Sequence, residues 1–234
     1  MAEQKTLGIL GGMGPMATVD LFQKVVAATK AERDQDHIHI LIDNCPSIPD
    51  RRTCIIEGRD DAGREMVNAA RRLEQAGAEV LIIGCNTAHF FHPMVAEGVS
   101  IPVLHMPRET AKVIKAQGFT SACILGTDMT FRTGLYHKAL EAEGITPMGL
   151  DEEGQQLVLD LIYKGVKAGR ADYPLAPVLD KMREAAARGA QCFILGCTEL
   201  PIAFAGVDTD LTLIDPTDVL AKAAIRACGY ETAE

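Results

Sequence analysis

Two segments of the chain repeat one motif, GAEVLIIGCNTAH at residues 77–89 and GAQCFILGCTEL at residues 189–200. The offset is constant, because the glycines at 77 and 84 and the cysteine at 85 recur 112 positions later, at 189, 196 and 197. An offset of about half the chain indicates two related halves, each long enough to build its own hydrophobic core. The repeat therefore limits the chain to folds in which one topology occurs twice.

Short apolar runs alternate with segments of helical periodicity in both halves. The predicted strands are 7–10, 38–42, 80–83 and 101–104, then 122–125, 145–148, 192–195 and 211–214. The predicted helices are 17–30, 60–76 and 107–117, then 130–143, 152–168, 176–188 and 217–227. Continuous apolar runs joined by helices are typical of parallel strands buried on both faces. The sequence therefore predicts an α/β fold of two pseudo-symmetric doubly wound domains, each with a mostly parallel four-stranded sheet flanked by helices.

Four residues fall at the carboxyl ends of predicted strands, namely Met13, Cys85, Thr127 and Cys197. Open parallel sheets bind ligands outside the carboxyl ends of their strands. Turns from two related halves are therefore expected to line one cleft between the domains, and that cleft is the predicted active site.

Charge and composition exclude several classes of partner. The formal net charge is −9, so no basic stripe is available to neutralise nucleic-acid phosphates. No apolar stretch approaches the roughly 20 residues that span a bilayer, and the first residues lack a signal-peptide pattern. We therefore expect a cytoplasmic protein with no nucleic-acid or membrane partner. Seven cysteines are an odd number, and in a reducing compartment no disulfide framework is predicted. No C-x-x-C pair occurs, so no metal site is predicted either.

Cys85 and Cys197 are the candidate catalytic residues. Each follows an apolar run and precedes polar residues, in a turn where backbone N–H groups and a helix N-terminus favour negative charge. The sequence therefore predicts that both thiol pKa values are lowered from about 8.5 towards neutrality. Two such thiols on opposite sides of one ligand can remove a proton from one face and return one to the other. The other five cysteines are interpreted as packing residues, and no role is assigned to the six histidines.

Six motifs together resemble a known family: GILGGMGPMAT at 8–18, NCPSIPDRRT at 44–53, GCNTAH at 84–89, LGTDMT at 125–130, YKGVKAG at 163–169 and GCTEL at 196–200. The chain resembles the aspartate/glutamate racemase superfamily over its whole length, and within it the cofactor-independent aspartate racemases. The resemblance implies proton transfer at an amino-acid α-carbon by two cysteines, without pyridoxal phosphate or another cofactor. It also implies a homodimer and a discontinuous first domain, of residues 1–100 with 211–234, beside a second domain of residues 101–210.

The resemblance also assigns substrate-binding residues. The α-hydrogen of an amino acid is a very weak acid, so the carboxylate that takes up the developing charge needs preorganised donors. The candidates are Asn86, Thr87, Thr127, Thr198 and the backbone amides around Met13 and Gly14.

The loop GGMGP lacks the G-x-G-x-x-G spacing of a dinucleotide site, because Pro15 follows Gly14. The sequence therefore does not predict a nucleotide-binding site at this loop.

A dicarboxylic substrate needs a second anion-binding group. Arg51 resembles the family's distal-carboxylate arginine, and a planar guanidinium can hold a carboxylate through two hydrogen bonds; its neighbour Arg52 is the rival. Lys167 resembles the family's substrate-binding lysine, with Lys164 as the rival. Glu199 is expected to orient either the substrate ammonium group or Cys197.

The sequence therefore predicts a racemase that interconverts L- and D-aspartate, or glutamate, by thiol/thiolate proton transfer. By analogy, Cys197 is expected to deprotonate the L-enantiomer and Cys85 the D-enantiomer. Maleate isomerase, hydantoin racemase and malonate decarboxylase chemistry on the same scaffold remain alternatives. A non-catalytic carboxylate-binding protein is an alternative of another class.

Overall fold

The computed structural model describes residues 4–170 and 172–233, and the chain forms two compact units. The first unit runs to Glu109 and resumes at Thr217, so it is discontinuous in sequence. The second unit is Thr110–Pro216. Among the described residues, no helix is both long and apolar enough to cross a bilayer.

The first unit contains a parallel sheet of three strands, β1 (Leu7–Gly11), β2 (Ile40–Asn44) and β3 (Val80–Ile83), in the order β2-β1-β3. Every residue of β1 and β3 is buried, as predicted for strands covered on both faces. The predicted fourth strand at 101–104 is wrong as a strand, because only an isolated bridge joins Val103 to Leu81. Pro102 lies in that segment and has no N–H to donate, so the pairing does not extend.

The helices of the first unit are α1 (Pro15–Ala28), α2 (Arg51–Glu57), α3 (Asp61–Gln75), α4 (His92–Gly98) and α5 (Met106–Ala116), which continues into the second unit. Alternate residues of β1 enter two separate cores. Leu10 packs with Met66 of α3, whereas Leu7 and Ile9 pack with Leu21 of α1. The sheet is therefore covered on both faces, which leaves its strand ends as the place where loops are accessible.

The second unit contains a parallel sheet of four strands in the order β5-β4-β6-β7. The strands are β4 (Ser121–Leu125), β5 (Thr146–Met148), β6 (Cys192–Leu195) and β7 (Leu213–Ile214). The helices are α6 (Asp128–Thr133), α7 (Leu135–Ala142), α8 (Glu152–Asp160), α9 (Ala176–Ala187) and α10 (Leu200–Ala203). The last helix of the chain, α11 (Pro216–Ala227), packs in the core of the first unit through Leu220 and Ile225.

Two helices predicted as continuous are interrupted. The segment predicted at 130–143 breaks between α6 and α7 at Gly134, whose φ of 62° lies in the left-handed region that glycine adopts without steric cost. The segment predicted at 152–168 is α8 followed by a π-helical stretch, Leu161–Val166. There the hydrogen bonds span five residues, as from the N–H of Lys167 to the carbonyl of Ile162 (3.0 Å).

Candidate active site

Cys85 and Cys197 occupy equivalent positions at the carboxyl ends of β3 and β6. In the first unit, the N–H of Gly84 donates to the carbonyl of Leu10 at the end of β1 (3.0 Å). In the second unit, the N–H of Gly196 donates to the carbonyl of Leu125 at the end of β4 (2.8 Å). The repeated glycine thus closes the sheet ladder in each unit, and the repeated cysteine is the next residue.

The turns after β1 and β4 are also related, but they differ in length. A Cβ atom on Gly11 would lie 2.5 Å from the hydroxyl of Thr18, and one on Gly126 would lie 2.5 Å from the hydroxyl of Thr130. Glycine is therefore required at both turns so that the following helix can pack against the strand end. Six residues lie between Gly11 and Thr18, and three lie between Gly126 and Thr130, so the first turn contains three additional residues.

The longer first turn is held by Thr18. Its hydroxyl accepts from the N–H of Gly12 (2.8 Å) and donates to the carbonyl of Gly14 (3.1 Å). Gly12 has a φ of 88°, and a Cβ there would collide with the backbone of Cys45. Met13 as a whole residue is 5% exposed and packs in the core, so the binding role expected of its backbone amide stays a prediction.

Cys197 lies in a charged environment within the second unit. Its thiol donates to a carboxylate oxygen of Glu199, with Sγ 2.9 Å from Oε2. The other oxygen of Glu199 is 3.8 Å from Nζ of Lys167, which also lies 4.9 Å from the ring centroid of Tyr163. Thr198 Oγ1 lies 3.2 Å from the same Glu199 oxygen that the thiol contacts.

The predicted pKa of Cys197 is wrong for this state of the molecule. Burial raises the pKa of the Cys197 thiol well above 9.0, and the negative charge of Glu199 raises it further, whereas Lys167 lowers it. Desolvation and a neighbouring carboxylate both disfavour the thiolate, and they outweigh the turn's backbone donors. Cys197 is therefore a protonated thiol here, able to give a proton.

The two lysine candidates are clearly separated by their contacts. Lys167 follows the π-helical stretch and approaches Glu199. Lys164 points to a different partner and pairs with Asp160 (2.8 Å) on the exposed surface. Of the two, Lys167 is the one beside Cys197.

Thr127 follows β4 closely in the chain, and the side chain of Gln155, on α8, contacts the same strand end. Thr127 is buried and precedes α6. Nε2 of Gln155 donates to the carbonyl of Gly126 (2.8 Å), while its Oε1 is buried without a hydrogen-bond partner among the described residues. A carbonyl oxygen in that position is an acceptor suited to an ammonium group. Gln155 is not among the residues predicted from the sequence, because it belongs to no motif.

Cys85 is partly buried against the core of the first unit. Asn86 is buried, and Thr87 begins a 3₁₀ turn, Thr87–Phe91. The carbonyl of Cys85 lies 2.8 Å from Nδ1 of His89. The turn after Cys85 therefore contains polar residues, and a histidine ring contacts its backbone.

Arg51 is the first residue of α2 and is partly buried, whereas Arg52 is exposed. Nη1 of Arg51 donates to the carbonyls of Ile48 (3.1 Å) and Pro49 (3.0 Å), and Nη2 of Arg51 lies 3.4 Å from the carbonyl of Met13. The Nε atom of Arg51 is buried without a hydrogen-bond partner among the described residues. The guanidinium thus holds the segment before α2 against the turn after β1.

Three histidines to which the sequence assigns no role form a cluster. The ring centroids of His89, His92 and His105 are 4.7 to 6.2 Å apart. Burial is the main cause that lowers their pKa values, to about 4 for His89 and about 3 for His105. In the described part of the chain no group of His, Cys, Asp and Glu side chains is arranged to hold a metal ion. Only the i, i+3 spacing of His89 and His92 on one turn could have signalled their proximity.

Comparisons with known proteins agree on one family. A family model described as Asp/Glu/hydantoin racemase matches residues 10–224. The structure of the aspartate racemase of Picrophilus torridus is 31% identical, with a TM-score of 0.84 over 98% of this chain and 96% of that one. An aspartate racemase homologue from Pyrococcus horikoshii OT3 is 25% identical, with a TM-score of 0.81 over 96% and 99%. The broad specificity amino-acid racemase RacX of Bacillus subtilis (strain 168) is 28% identical over 225 residues, which are 94% of this chain and 96% of RacX.

Proposed function

The chain belongs to the Asp/Glu/hydantoin racemase family, and from this premise we propose that it interconverts L- and D-aspartate without a cofactor. The observation that carries the proposal is the pair of cysteines at equivalent strand ends, each one residue after a glycine that closes its sheet. A racemase needs two groups of the same kind, because it must work in both directions.

In the proposed reaction one cysteine acts as thiolate and the other as thiol. The thiolate removes the α-proton, and the electron pair of the broken C–H bond moves towards the substrate carboxylate. The thiol then gives its proton to the opposite face of the α-carbon. The two sulfurs end with their protonation states exchanged, so the pair titrates as a unit.

The surroundings of Cys197 support a starting state in which it is the proton donor. Burial and Glu199 both raise its pKa, so it holds its proton before substrate arrives. When Cys197 is the proton donor, Cys85 is the base that removes the α-proton. Cys85 is expected to deprotonate the D-enantiomer, so this state acts on D-aspartate. When a substrate ammonium group pairs with Glu199, the carboxylate charge is offset and the Cys197 thiolate becomes accessible for the reverse direction.

Arg51 and Lys167 support a small dicarboxylic substrate. The buried Nε of Arg51 is a donor left over after the two Nη groups bind backbone carbonyls, and Lys167 adds a second cation. We propose that Arg51 binds the distal carboxylate. The α-carboxylate is proposed to bind hydrogen-bond donors from four residues, Asn86, Thr87, Thr127 and Thr198.

The test is incubation with L-aspartate in deuterated water, without added cofactor. We expect D-aspartate with deuterium at the α-carbon. Cys85→Ser and Cys197→Ser should each abolish the conversion, with Cys123→Ser as the control for a buried cysteine that has no part in it. Turnover of maleate or a hydantoin, with no isotope entering aspartate, would show that the aspartate assignment is wrong.

The likeness to RacX supports a second candidate, a racemase of broad specificity. The two candidates differ in their dependence on Arg51. A panel of L-amino acids assayed by chiral chromatography separates them, because with an aspartate-specific enzyme Arg51→Ala should reduce the rate with aspartate far more than the rate with alanine. Equal rates across the panel in the unmodified protein would favour broad specificity.

A further inference from the structure

The geometry around His89 points to a role for this residue in the proposed reaction, although it is not a candidate to contact substrate. Its ring is fully buried, and both ring nitrogens have backbone partners. Nδ1 lies 2.8 Å from the carbonyl of Cys85, and Nε2 lies 3.0 Å from the backbone nitrogen of Met106. His89 therefore bridges the turn that carries Cys85 and the start of α5.

These partners determine the tautomer. A backbone N–H can only donate, so Nε2 must accept from Met106 and cannot carry a proton. The single proton of the neutral ring is then on Nδ1, where it donates to the carbonyl of Cys85. Burial lowers the pKa of His89 to about 4, so the ring is neutral at physiological pH, in agreement with these bonds.

The bond to Cys85 also orients the next peptide group. A trans peptide is planar, with its C=O and N–H pointing in opposite directions. When His89 holds the carbonyl of Cys85, it therefore directs the N–H of Asn86 the other way. That N–H belongs to the turn from which the proposed function draws its donors.

We propose that His89 is a positioning residue, which fixes the peptide plane between Cys85 and Asn86 and so presents the Cys85 thiol and the Asn86 N–H in their working orientation. The inference rests on the proposed function for its kinetic consequences, but not for its structural ones.

The other two histidines hold the His89 ring in place. His92 stacks beside it, with an interplanar angle of 11°, and its Nε2 donates to the carbonyl of Val103 (2.9 Å). His105 packs edge-on against both rings and accepts the N–H of Arg108 (3.3 Å) at the start of α5. Of the three, only His89 contacts the turn of a candidate catalytic cysteine in these bonds.

The described residues of the second unit show no counterpart of this bridge. Position 201, which corresponds to His89 at the offset of 112, is a proline. The carbonyl of Cys197 accepts instead from the N–H of Leu200 (2.9 Å). A change at His89 should therefore affect Cys85 and leave Cys197 as it was.

Two conservative variants separate the two bonds of His89. In His89→Asn the side-chain amide nitrogen can replace Nδ1, so the bond to Cys85 is kept and the acceptor for Met106 is lost. In His89→Gln the side-chain oxygen can replace Nε2, so the acceptor for Met106 is kept and the bond to Cys85 is lost. His92→Gln is the matched control, because it changes the same cluster without touching Cys85.

The first measurement is the rate at which iodoacetamide alkylates Cys85 at pH 7.5, with Cys197 of the same molecule as the internal reference and peptide mass spectrometry as the readout. Loss of one hydrogen bond predicts a rate about three- to tenfold lower in His89→Gln. His89→Asn and His92→Gln should stay near the unmodified protein. An unchanged or faster rate in His89→Gln, or equal losses in all three variants, would overturn the proposal.

The second measurement is racemisation of aspartate by the same variants. A displaced donor predicts a kcat about 10- to 100-fold lower in His89→Gln, with KM changed less. Altered alkylation of Cys85 without racemase activity in the unmodified protein would retain the positioning role and reject the proposed function. Racemase activity with unaltered alkylation would do the reverse.

A third measurement needs no variant and covers the case in which the substitutions unfold the protein. Long-range ¹H–¹⁵N correlation spectra of the ¹⁵N-histidine protein distinguish the two neutral tautomers. We expect one ring that remains neutral with its proton on Nδ1 down to pH 5. A spectrum in which every neutral ring carries its proton on Nε2 would rule out the bridge.

Discussion

Cys85 and Cys197 are the same residue in the same place of a repeat, yet their surroundings differ. The sulfur of Cys197 contacts a carboxylate, and its pKa is raised by burial and by that charge. Cys85 has a histidine on its backbone carbonyl instead. The repeat thus places two thiols at equivalent strand ends, and the residues beside Cys197 favour its protonated form.

Glu199→Gln and Lys167→Met should move the pKa of Cys197 in opposite directions. Removing the negative charge of Glu199 lowers the pKa, so more thiolate is present at a given pH and alkylation of Cys197 becomes faster. Removing the positive charge of Lys167 raises the pKa and slows alkylation. Each pKa unit changes the thiolate fraction about tenfold below the pKa. Iodoacetamide rates between pH 6 and 10 measure both effects, and shifts of the same sign would contradict the assignment.

Arg51→Ala should cost stability as well as activity. The guanidinium binds backbone carbonyls of Ile48 and Pro49, so its loss should lower the free energy of unfolding by about 1–3 kcal/mol. Loss of a charge-assisted hydrogen bond from Nε to the substrate carboxylate predicts a kcat/KM for aspartate about 10- to 100-fold lower. The exposed neighbour Arg52 is the control, since Arg52→Ala should change stability by less than about 0.5 kcal/mol. Urea denaturation and steady-state kinetics measure the two effects, and equal results for both arginines would contradict this reading.

At the scale of elements, the turns after β1 and β4 are each held by a threonine hydroxyl, but the two threonines make different numbers of hydrogen bonds. Thr18 binds two backbone groups of the longer turn, whereas Thr130 makes a single long contact to the carbonyl of Gly196 (3.5 Å). Both threonines are buried against the strand end. The three additional residues of the first turn therefore depend on Thr18 for their conformation.

Thr18→Val should destabilise the protein more than Thr130→Val. Valine keeps the shape of threonine, so the difference isolates the hydroxyl. The N–H of Gly12 would lose its buried acceptor, at a cost of about 1–3 kcal/mol. Thermal or urea unfolding of the two variants gives the comparison, and equal destabilisation would show that the first turn is held by other contacts.

The elements also show how far periodicity can predict a fold. Buried strands such as β3 and β6 were predicted at their observed residues, because a short apolar run between turn residues is stable as a strand covered on both faces. The segments that differ carry a local feature that overrides the pattern: Pro102 in the missing strand and Gly134 between α6 and α7. The π-helical stretch 161–166 has the same apolar periodicity as an α-helix over so short a span, so its sequence did not reveal it.

At the scale of the molecule, the two units differ in how their cores are assembled. The core of the second unit comes from one continuous segment. The first unit needs α11, whose residues Leu220, Ala221, Ala224 and Ile225 are fully buried beside Leu7 and Ile9. The end of the chain is therefore part of the first core.

Expressed alone, residues 110–216 should fold and residues 1–109 should not. Burial of each large apolar side chain contributes about 1.5–3 kcal/mol, so loss of α11 removes much of the roughly 5–15 kcal/mol by which a small domain is stable. Circular dichroism during thermal unfolding should show a cooperative transition for residues 110–216 and none for residues 1–109. A fusion of residues 217–234 to residues 1–109 should restore the transition. Cooperative unfolding of residues 1–109 alone would contradict the requirement for α11.

The sequence by itself determined the two related halves, the parallel strands and the two cysteines after them, because each depends on neighbours close in the chain. It also pointed to Arg51, Lys167 and Glu199 through family motifs. Only the tertiary structure decided the protonation state of Cys197 and the meeting of His89, His92 and His105. A pKa depends on burial and on charges from segments that are distant in the chain. A buried hydrogen bond, such as that of His89 with Met106, depends on where the backbone of another element lies. Neither property is local, so no sequence motif could predict it.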